Sequence, residues 1–378
     1  MSGAGADVVV VGGGVIGLAT AWRAAQRGLS VSLLDPRPGR EATWAAAGML
    51  APVTEAHYGE EALIRLNLSS ARAWPAFAEA VEEASGCDVG YRPCGTLAVA
   101  ADGGDQAVLE ELHRFQRSLH LEADLLSGRE CRGLEPSLAP TIRGGLLAGG
   151  DHQVNNRLLA AALPVAAERA GVTLRPAQVA EIAVAGDRVT GVRLAGGEEV
   201  GAGTVLLAAG CWSARVGGLP PEVLPPVRPV KGEILRLRGP ARSPVLSRNL
   251  RGLVNGIHLY LVPRADGTLV VGATVEEQGF DTTVRVGAVA DLLRDARALV
   301  PAVDELELAE AHAGLRPGSP DNAPILGPSA LPGLVIGTGH YRNGILLTPV
   351  TADALAEVLA EGTVPDVIAP FSPARWRP

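Results

Sequence analysis

A chain of 378 residues with 41 acidic against 33 basic side chains and a net charge of −8 is poorly suited to polyanions, which excludes nucleic acid and anionic membrane surfaces as expected partners. Its 47% hydrophobic and 20% charged content describes a globular protein with ample apolar surface to bury, and its length calls for two domains rather than one core. Cys87, Cys94, Cys131 and Cys211 form no CxxC pair, which argues against a disulfide framework or a metal site and predicts small buried residues in a reducing compartment.

The amino terminus carries the most specific pattern. Residues 8–11, all valine, run into Gly12-Gly13-Gly14-Val15-Ile16-Gly17, and a second apolar run, residues 31–34, ends at Asp35. Strand, glycine turn, helix, strand and acid is the order of a dinucleotide-binding unit. Gly12 allows the tight turn, Gly14 lets backbone approach a pyrophosphate, and Gly17 lets the helix pack close against the strand. The phosphates are then held at the electropositive helix end by unpaired backbone N–H groups. Asp35, eighteen residues after Gly17, has the reach to accept hydrogen bonds from a ribose hydroxyl, and its charge disfavours a 2′-phosphate. The bland alternative is a glycine turn without a ligand. The flanking strand, helix and acid favour the dinucleotide, although the motif does not separate FAD from NAD. The uncharged run 8–22 lacks a basic n-region and is broken by glycines, so it reads as structure rather than a signal peptide, and a cytoplasmic protein is expected. No other segment is apolar for long enough to span a bilayer.

After a turn at 36–39 comes a small-residue stretch, residues 41–50. Small side chains in series let something large lie against the backbone, and an isoalloxazine ring would fit; the alternative is a helix start buried under a neighbour. Leu63, Leu66, Ala73, Phe77 and Val81 recur at helical spacing and predict an amphipathic helix over 63–84. A strand over 96–100, a charged helix over 106–120 and a glycine-containing turn over 144–156 follow. The next helix, over 158–170, ends at Gly171 as a C-cap. Strands over 178–184 and 189–194 flank a Gly186-Asp187 turn. Residues 205–210 read as a buried parallel strand opening onto a glycine, so the N-terminal sheet is expected to recruit strands from distant parts of the chain. Five prolines between Pro220 and Pro229 mark a domain crossing. Beyond them, 256–274 reads as a hairpin with Asp266-Gly267 near its turn. Alternation puts His258, Tyr260 and Val262 on one face and Leu259 and Leu261 on the other. Helices over 289–299 and 348–361 complete the chain, the last with Leu355, Val358 and Leu359 on its apolar side.

The chain holds one dinucleotide fingerprint; Gly337-Thr338-Gly339 begins another, but Arg342 stands where the third glycine belongs. One fingerprint argues for one bound dinucleotide with a substrate domain beside it. Arg316, in Gly314-Leu315-Arg316-Pro317-Gly318, is expected at a strand end because Pro317 and Gly318 prevent the strand from continuing. Arg342 lies in a polar stretch between Gly339 and Gly344. Both are candidate carboxylate clamps, since a planar guanidinium can make two parallel charge-assisted bonds. A structural ion pair is the alternative for each arginine, and packing is the alternative for Tyr260 and His258.

The segments VVVVGGGVIGLATA, TWAAAGMLAP, LLAAGCWS, VKGEILRL, YLVPR with VVGATVE, AGLRPGSPDNAPILGP and GHYRNGILLTPVTA give the chain an end-to-end resemblance to the glycine oxidases of the D-amino-acid oxidase family, flavoenzymes linked in many bacteria to thiamine thiazole synthesis. The resemblance implies an α/β fold, with a Rossmann-like FAD-binding domain (1–85, 146–219 and 316–378) and a second α+β substrate domain on an antiparallel sheet (86–145 and 220–315). It implies non-covalent FAD and no metal. Gly12, Gly14, Val15, Ile16, Gly17 and Asp35 would serve the adenine and phosphate end, with Val179 at the adenosine. Ala42, Thr43, Ala47, Gly48 and Met49 would lie along the pyrophosphate and flavin. Gly339, His340, Tyr341, Arg342, Asn343, Gly344, Ile345 and Leu346 would run beside the isoalloxazine ring. Arg316 matches the arginine that pairs with the substrate carboxylate, Tyr260 a tyrosine that assists it, Arg342 a second substrate-site arginine, and His258 an active-site histidine. Trp44 and Cys211 depart from the family pattern, where smaller residues are common.

The activity implied is oxidation of a small amino acid (glycine, sarcosine or D-alanine) by hydride transfer to the flavin. Water then converts the imine to the keto acid and ammonia, and oxygen is reduced to hydrogen peroxide. A homo-oligomer is implied too, with a tetramer as the form considered. The rivals are a sarcosine or D-amino-acid oxidase, a carrier-linked dehydrogenase of the same fold, an NAD-dependent dehydrogenase, and a flavin-binding scaffold without turnover.

Overall fold

Residues 6–376 are described by a computed structural model. The valine run becomes β1 (Ala6–Val11), buried from Val8 onward, as befits a strand covered on both faces of a parallel sheet. Gly14 is the N-cap of α1 (Val15–Gln26); it provides no side-chain cap, and no acid follows in the first turn. The positive helix end is therefore left for something else to satisfy. β2 (Val31–Leu34) pairs parallel with β1. The small-residue stretch divides into a single turn, α2 (Ala42–Ala45), and a two-residue strand, β3 (Met49–Leu50). α3 (Glu61–Ser85) buries Leu63, Leu66, Trp74, Phe77 and Val81.

β4 (Thr96–Ala100) precedes α4 (Gly103–Ser118), where Asp102 accepts the Asp105 N–H as N-cap, as short acidic side chains do at helix starts. β5 (Asp124–Ser127) runs into α5 (Gly128–Leu134) through a Ser127–Glu130 capping box. The stretch 144–156, expected to be a turn, instead holds β6 (Gly144–Ala148) and β7 (His152–Gln153) before α6 (Asn156–Arg169). Its glycine serves close approach: a Cβ on Gly145 would sit 2.6 Å from the Ala98 carbonyl oxygen. Then come β8 (Thr173–Arg175), β9 (Val179–Ala185), β10 (Arg188–Leu194) and β11 (Glu199–Leu207). The proline-rich stretch leads into β12 (Arg228–Arg238), followed by β13 (Asn249–Val254), β14 (Ile257–Pro263) and β15 (Thr268–Gly272). α7 (Val286–Leu299), β16 (Glu307–Gly318), β17 (Ile325–Pro328), β18 (Leu334–Thr338) and α8 (Thr348–Glu361) complete the order.

Two large sheets organise these elements. The first runs β17-β18-β11-β1-β2-β8, with β9 and β10 attached through β11. Its centre is parallel, since β11 pairs with both β1 and β18 in that sense. Strands from distant parts of the chain thus meet beside the glycine turn. α1, α3, α6 and α8 bury Leu18, Trp22, Trp74, Leu159, Leu163 and Leu355 in one core against this sheet. The second sheet runs β16-β12-β15-β14-β13-β4-β6-β5, antiparallel except where β13 meets β4. α7 packs Leu292, Ala296 and Leu299 into its core.

Three expectations need correction. β6 and β16 both belong to the second sheet, so the expected boundaries at 145/146 and 315/316 fall inside strands, and 146–148 and 316–318 go with that sheet. Arg316 does not end its strand: Pro317 and Gly318 continue the ladder opposite Pro229 and Arg228. β16 lies at a sheet edge, where a missing proline N–H costs no ladder bond. Cys131 and Cys211 are buried, but Cys87 is exposed and Cys94 only half-buried, and all four are free thiols. Among the described residues no helix is long and apolar enough to cross a membrane.

Candidate functional site

A cavity of about 930 Å³ is lined from both sheets, with the glycine turn at one end and β14 and β16 at the other. At the glycine turn the local backbone dictates the residue types. Gly12 has φ +107°, and a Cβ there would lie 2.5 Å from the Ala208 carbonyl oxygen. A Cβ on Gly17 would collide with the carbonyl oxygen of Gly12, so the helix comes this close to the turn only without a side chain. A Cβ on Gly14 would meet only Thr43 Oγ1, at an ordinary van der Waals distance of 3.5 Å. That oxygen also accepts the Val15 N–H at 3.0 Å. Asp35 accepts two main-chain N–H groups: Oδ2 that of Gly13 at 2.7 Å and Oδ1 that of Arg37 at 2.6 Å. A carboxylate has lone pairs to spare for a ribose hydroxyl, so the acid also locks the turn.

The cavity wall includes Gly12, Gly14, Val15, Ile16, Asp35, Ala42, Thr43, Ala47, Gly48, Met49, Val179 and the run from His340 to Leu346, together with His258, Tyr260 and Arg316. Gly17 and Gly339 do not line it. Gly17 sits behind the turn, and Gly339 (φ +74°) packs against Ile325. Trp44 also stands off the cavity, between the guanidinium groups of Arg40 at 3.9 Å and Arg157 at 4.3 Å. Cys211 lies on the wall, where burial pushes its thiol up to about 12.

Arg264 is a residue that sequence reading passed over, although it ends the YLVPR segment. It is buried and donates to the Ala47 carbonyl, to Val154 O at 3.0 Å, to Gln153 Oε1 at 2.6 Å and to Asn156 Oδ1 at 3.2 Å. Burial, then the charge of Arg236, push its pKa down to about 9. It thereby fastens the small-residue stretch to the second sheet. On the opposite wall, the Leu346 carbonyl accepts from Ser70 Oγ at 2.6 Å and Trp74 Nε1 at 2.8 Å, which holds the 339–347 loop against α3.

His340 is 3% exposed, with Nε2 3.2 Å from Thr351 Oγ1. Burial pushes its pKa down to about 3 from 6.5. Between those values the unfolded chain binds a proton that the folded chain does not, so stability is lost as pH falls through that window, by up to about 1.4 kcal/mol per pH unit. Thermal unfolding measured from pH 7 to 4 should show this slope, and His340→Gln should flatten it; a slope unchanged by that substitution would assign the acid lability elsewhere.

At the end of the cavity away from the glycine turn, Arg316 Nη1 donates to the carbonyls of Thr274 at 3.1 Å and Lys231 at 3.3 Å. The guanidinium lies over Gly232, where a Cβ would occupy its place. No ion pair satisfies its charge among the described residues. Tyr260 crosses Gly272 beside it; burial raises the phenol pKa against the pull of the Arg316 charge. Arg342 differs. Its Nη2 lies 3.4 Å from Glu60 and its Nε 3.7 Å from Glu55, so it carries the structural ion pairs weighed as its alternative. Glu55 also pairs with Arg251, which stands opposite Tyr260 in the β13–β14 ladder. Neither Arg251 nor Glu55 was expected. Desolvation at the wall, then Arg251 and Arg342, hold the His258 pKa below the usual imidazole value, so the ring is neutral near pH 7. Among the described residues no group of three or more His, Cys, Asp or Glu could hold a metal ion.

Residues 7–358 match the family model described as DAO, FAD dependent oxidoreductase. The chain belongs to that family. The protein called glycine oxidase from Geobacillus kaustophilus is 35% identical over 98% of this chain and 97% of its own. Its crystal structure superposes with a TM-score of 0.90, covering 98% of both chains. The bifunctional protein ThiO/ThiG of Trichormus variabilis is 35% identical over 98% of this chain and 55% of its own length. The chain thus spans about half the length of the first curated relatives it matches. FAD, the family's cofactor, fits the residues present: Gly12, Gly14 and a shelf of alanine and glycine line the cavity beside the start of α1, whose own first turn supplies neither a capping side chain nor an acid.

Proposed function

We propose that this FAD-dependent oxidoreductase oxidises glycine and other small amino acids, such as sarcosine and D-alanine, to the keto acid, ammonia or amine, and hydrogen peroxide. The observation that carries this reading is Arg316, a guanidinium on the cavity wall whose acceptors are main-chain carbonyls and which no carboxylate among the described residues neutralises. A charge held in that state is suited to the carboxylate of an incoming substrate, with which it can form two charge-assisted bonds. Tyr260 stands beside it as a second hydrogen-bonding group. Bound FAD supplies the two-electron acceptor. The protein supplies position: Arg316 fixes one end of the substrate so that its α-carbon faces the shelf formed by residues 45–49. Arg342 and Arg251 are already balanced by Glu55 and Glu60, which leaves one net cationic group for a substrate with one acid group.

The likeness to glycine oxidases across nearly the whole chain supports glycine as substrate, and the likeness to proteins named ThiO/ThiG supports a role feeding thiazole synthesis. The test is anaerobic addition of glycine, sarcosine or D-alanine to the yellow protein. The flavin should bleach, and readmitted air should yield peroxide. Flavin that stays oxidised with all three amino acids would sink the reading. Bleaching followed by electron transfer to a dye, without peroxide, would replace the oxidase by a carrier-linked dehydrogenase. Light scattering decides whether the active form is the homo-oligomer that the family likeness supports.

A further inference from the structure

Lys231, on β12, has a fully buried side chain, and the chemistry above gives it no task. Its Nζ lies 2.7 Å from Oε1 of Glu233, which is also fully buried, and 3.6 Å from Oε2 of Glu276. It donates to the Thr283 carbonyl at 2.6 Å. An apolar pair of similar volume is often at least as stable as such a buried ion pair, so stability alone is a poor account of it.

The two segments it joins are more informative. β12 and the loop 273–285 meet at Lys231, whose N–H donates to Glu276 O at 2.8 Å and whose carbonyl accepts the Glu276 N–H at 3.0 Å. Thr274 Oγ1 donates to Glu276 Oε1 at 2.6 Å and accepts the Glu233 N–H at 2.9 Å. The Glu233 carboxylate accepts the Arg285 N–H at 3.0 and 3.1 Å, which ties down the far end of the loop. These same two segments provide the carbonyls, Lys231 O and Thr274 O, that hold Arg316 Nη1. Gly232, between the buried lysine and glutamate, is the floor under the guanidinium.

We propose that Lys231, through Glu233 and Glu276, is a positioning residue that fixes the spacing of those two carbonyls and so aims Arg316 into the cavity. It touches neither substrate nor cofactor. The arginine is held at two points on two separate segments; a small slip between them breaks one bond and frees the side chain to leave its productive orientation. The inference rests on the reading of Arg316 as the holder of the substrate carboxylate.

The test pairs Lys231→Met with Glu233→Gln, which removes both charges and keeps an acceptor for Arg285. The FAD-loaded variant should show KM for glycine and Kd for acetate, a bare carboxylate probe, each raised about tenfold, with kcat within about threefold of the parent. In an Arg316→Ala background the same pair should lower kcat/KM by less than about twofold, because the aim then has nothing to act on. Equal losses in both backgrounds, or unchanged KM and acetate affinity, would overturn the proposal. Should the paired variant lose FAD, Glu276→Gln, at a side chain 25% exposed, and Thr274→Val take its place with the same expected non-additivity. If Arg316→Ala alone leaves KM and acetate affinity unchanged, the clamp reading itself fails; if it raises them while the Lys231 variants do not, this proposal alone fails.

Discussion

Arg316→Ala is expected to purify yellow, with bound FAD, and to oxidise glycine with kcat/KM lower by about ten- to a hundredfold. The magnitude follows from the loss of a charge-assisted hydrogen-bonded pair, about 1.5–3 kcal/mol, at about one decade of rate per 1.4 kcal/mol. FAD should be retained because Arg316 sits on β16 of the second sheet and bonds to Thr274 and Lys231, none of which belongs to the glycine turn. Arg342→Ala is not equivalent, since it would strand Glu55 and Glu60 without one of their cationic partners. Its effect would mix substrate binding with repulsion between acids at the wall. Steady-state constants and an absorbance spectrum check the Arg316 result. Parent-like constants in a flavin-loaded variant would remove the carboxylate role from this residue.

The dinucleotide unit was legible in the sequence because each of its requirements is local. Gly12 and Gly17 answer to atoms within a few residues or on the next strand, and the buried runs at 8–11 and 31–34 declare parallel strands by their apolarity alone. The strand Thr96–Ala100 and the helix Thr348–Glu361 fall where pattern and caps put them. What could not be read depends on neighbours far along the chain. β6 was hidden because its glycines, which read as a turn, are there to let a partner strand approach. Pro317 was taken as a strand terminator, but whether proline ends a strand depends on its place in the sheet, and an edge is a property of the assembled fold. Arg251 and Glu55 lie 196 residues apart in sequence and meet only in the folded chain. The two candidate arginines looked alike in sequence; only the fold separates Arg342, ion-paired with two glutamates, from Arg316, which pairs with none among the described residues.

Gly17→Ala is expected to lose bound FAD and to fall in thermal stability. In an exposed helix the same substitution would stabilise, by up to about 1 kcal/mol of propensity, so a fall must come from contact. The added methyl would lie on the carbonyl oxygen of Gly12, a backbone atom that has no rotamer to yield. α1 cannot move away as a unit, because Leu18, Ala21 and Trp22 are packed in the same core as α6 and α8. The strain therefore passes into the turn, whose Gly13 N–H and Val15 N–H are already committed to Asp35 and Thr43. Overpacking of this kind costs about 1–3 kcal/mol, and here it falls on the glycine turn that lines the cavity. Gly133→Ala in α5 is the control, since a Cβ there meets nothing within 4 Å. Melting temperature, flavin content after purification and FAD affinity of the apoprotein should all fall for Gly17→Ala and hold for Gly133→Ala. A Gly17→Ala protein that carried a full complement of FAD at parental stability would mean that the helix does not pack against the turn as described.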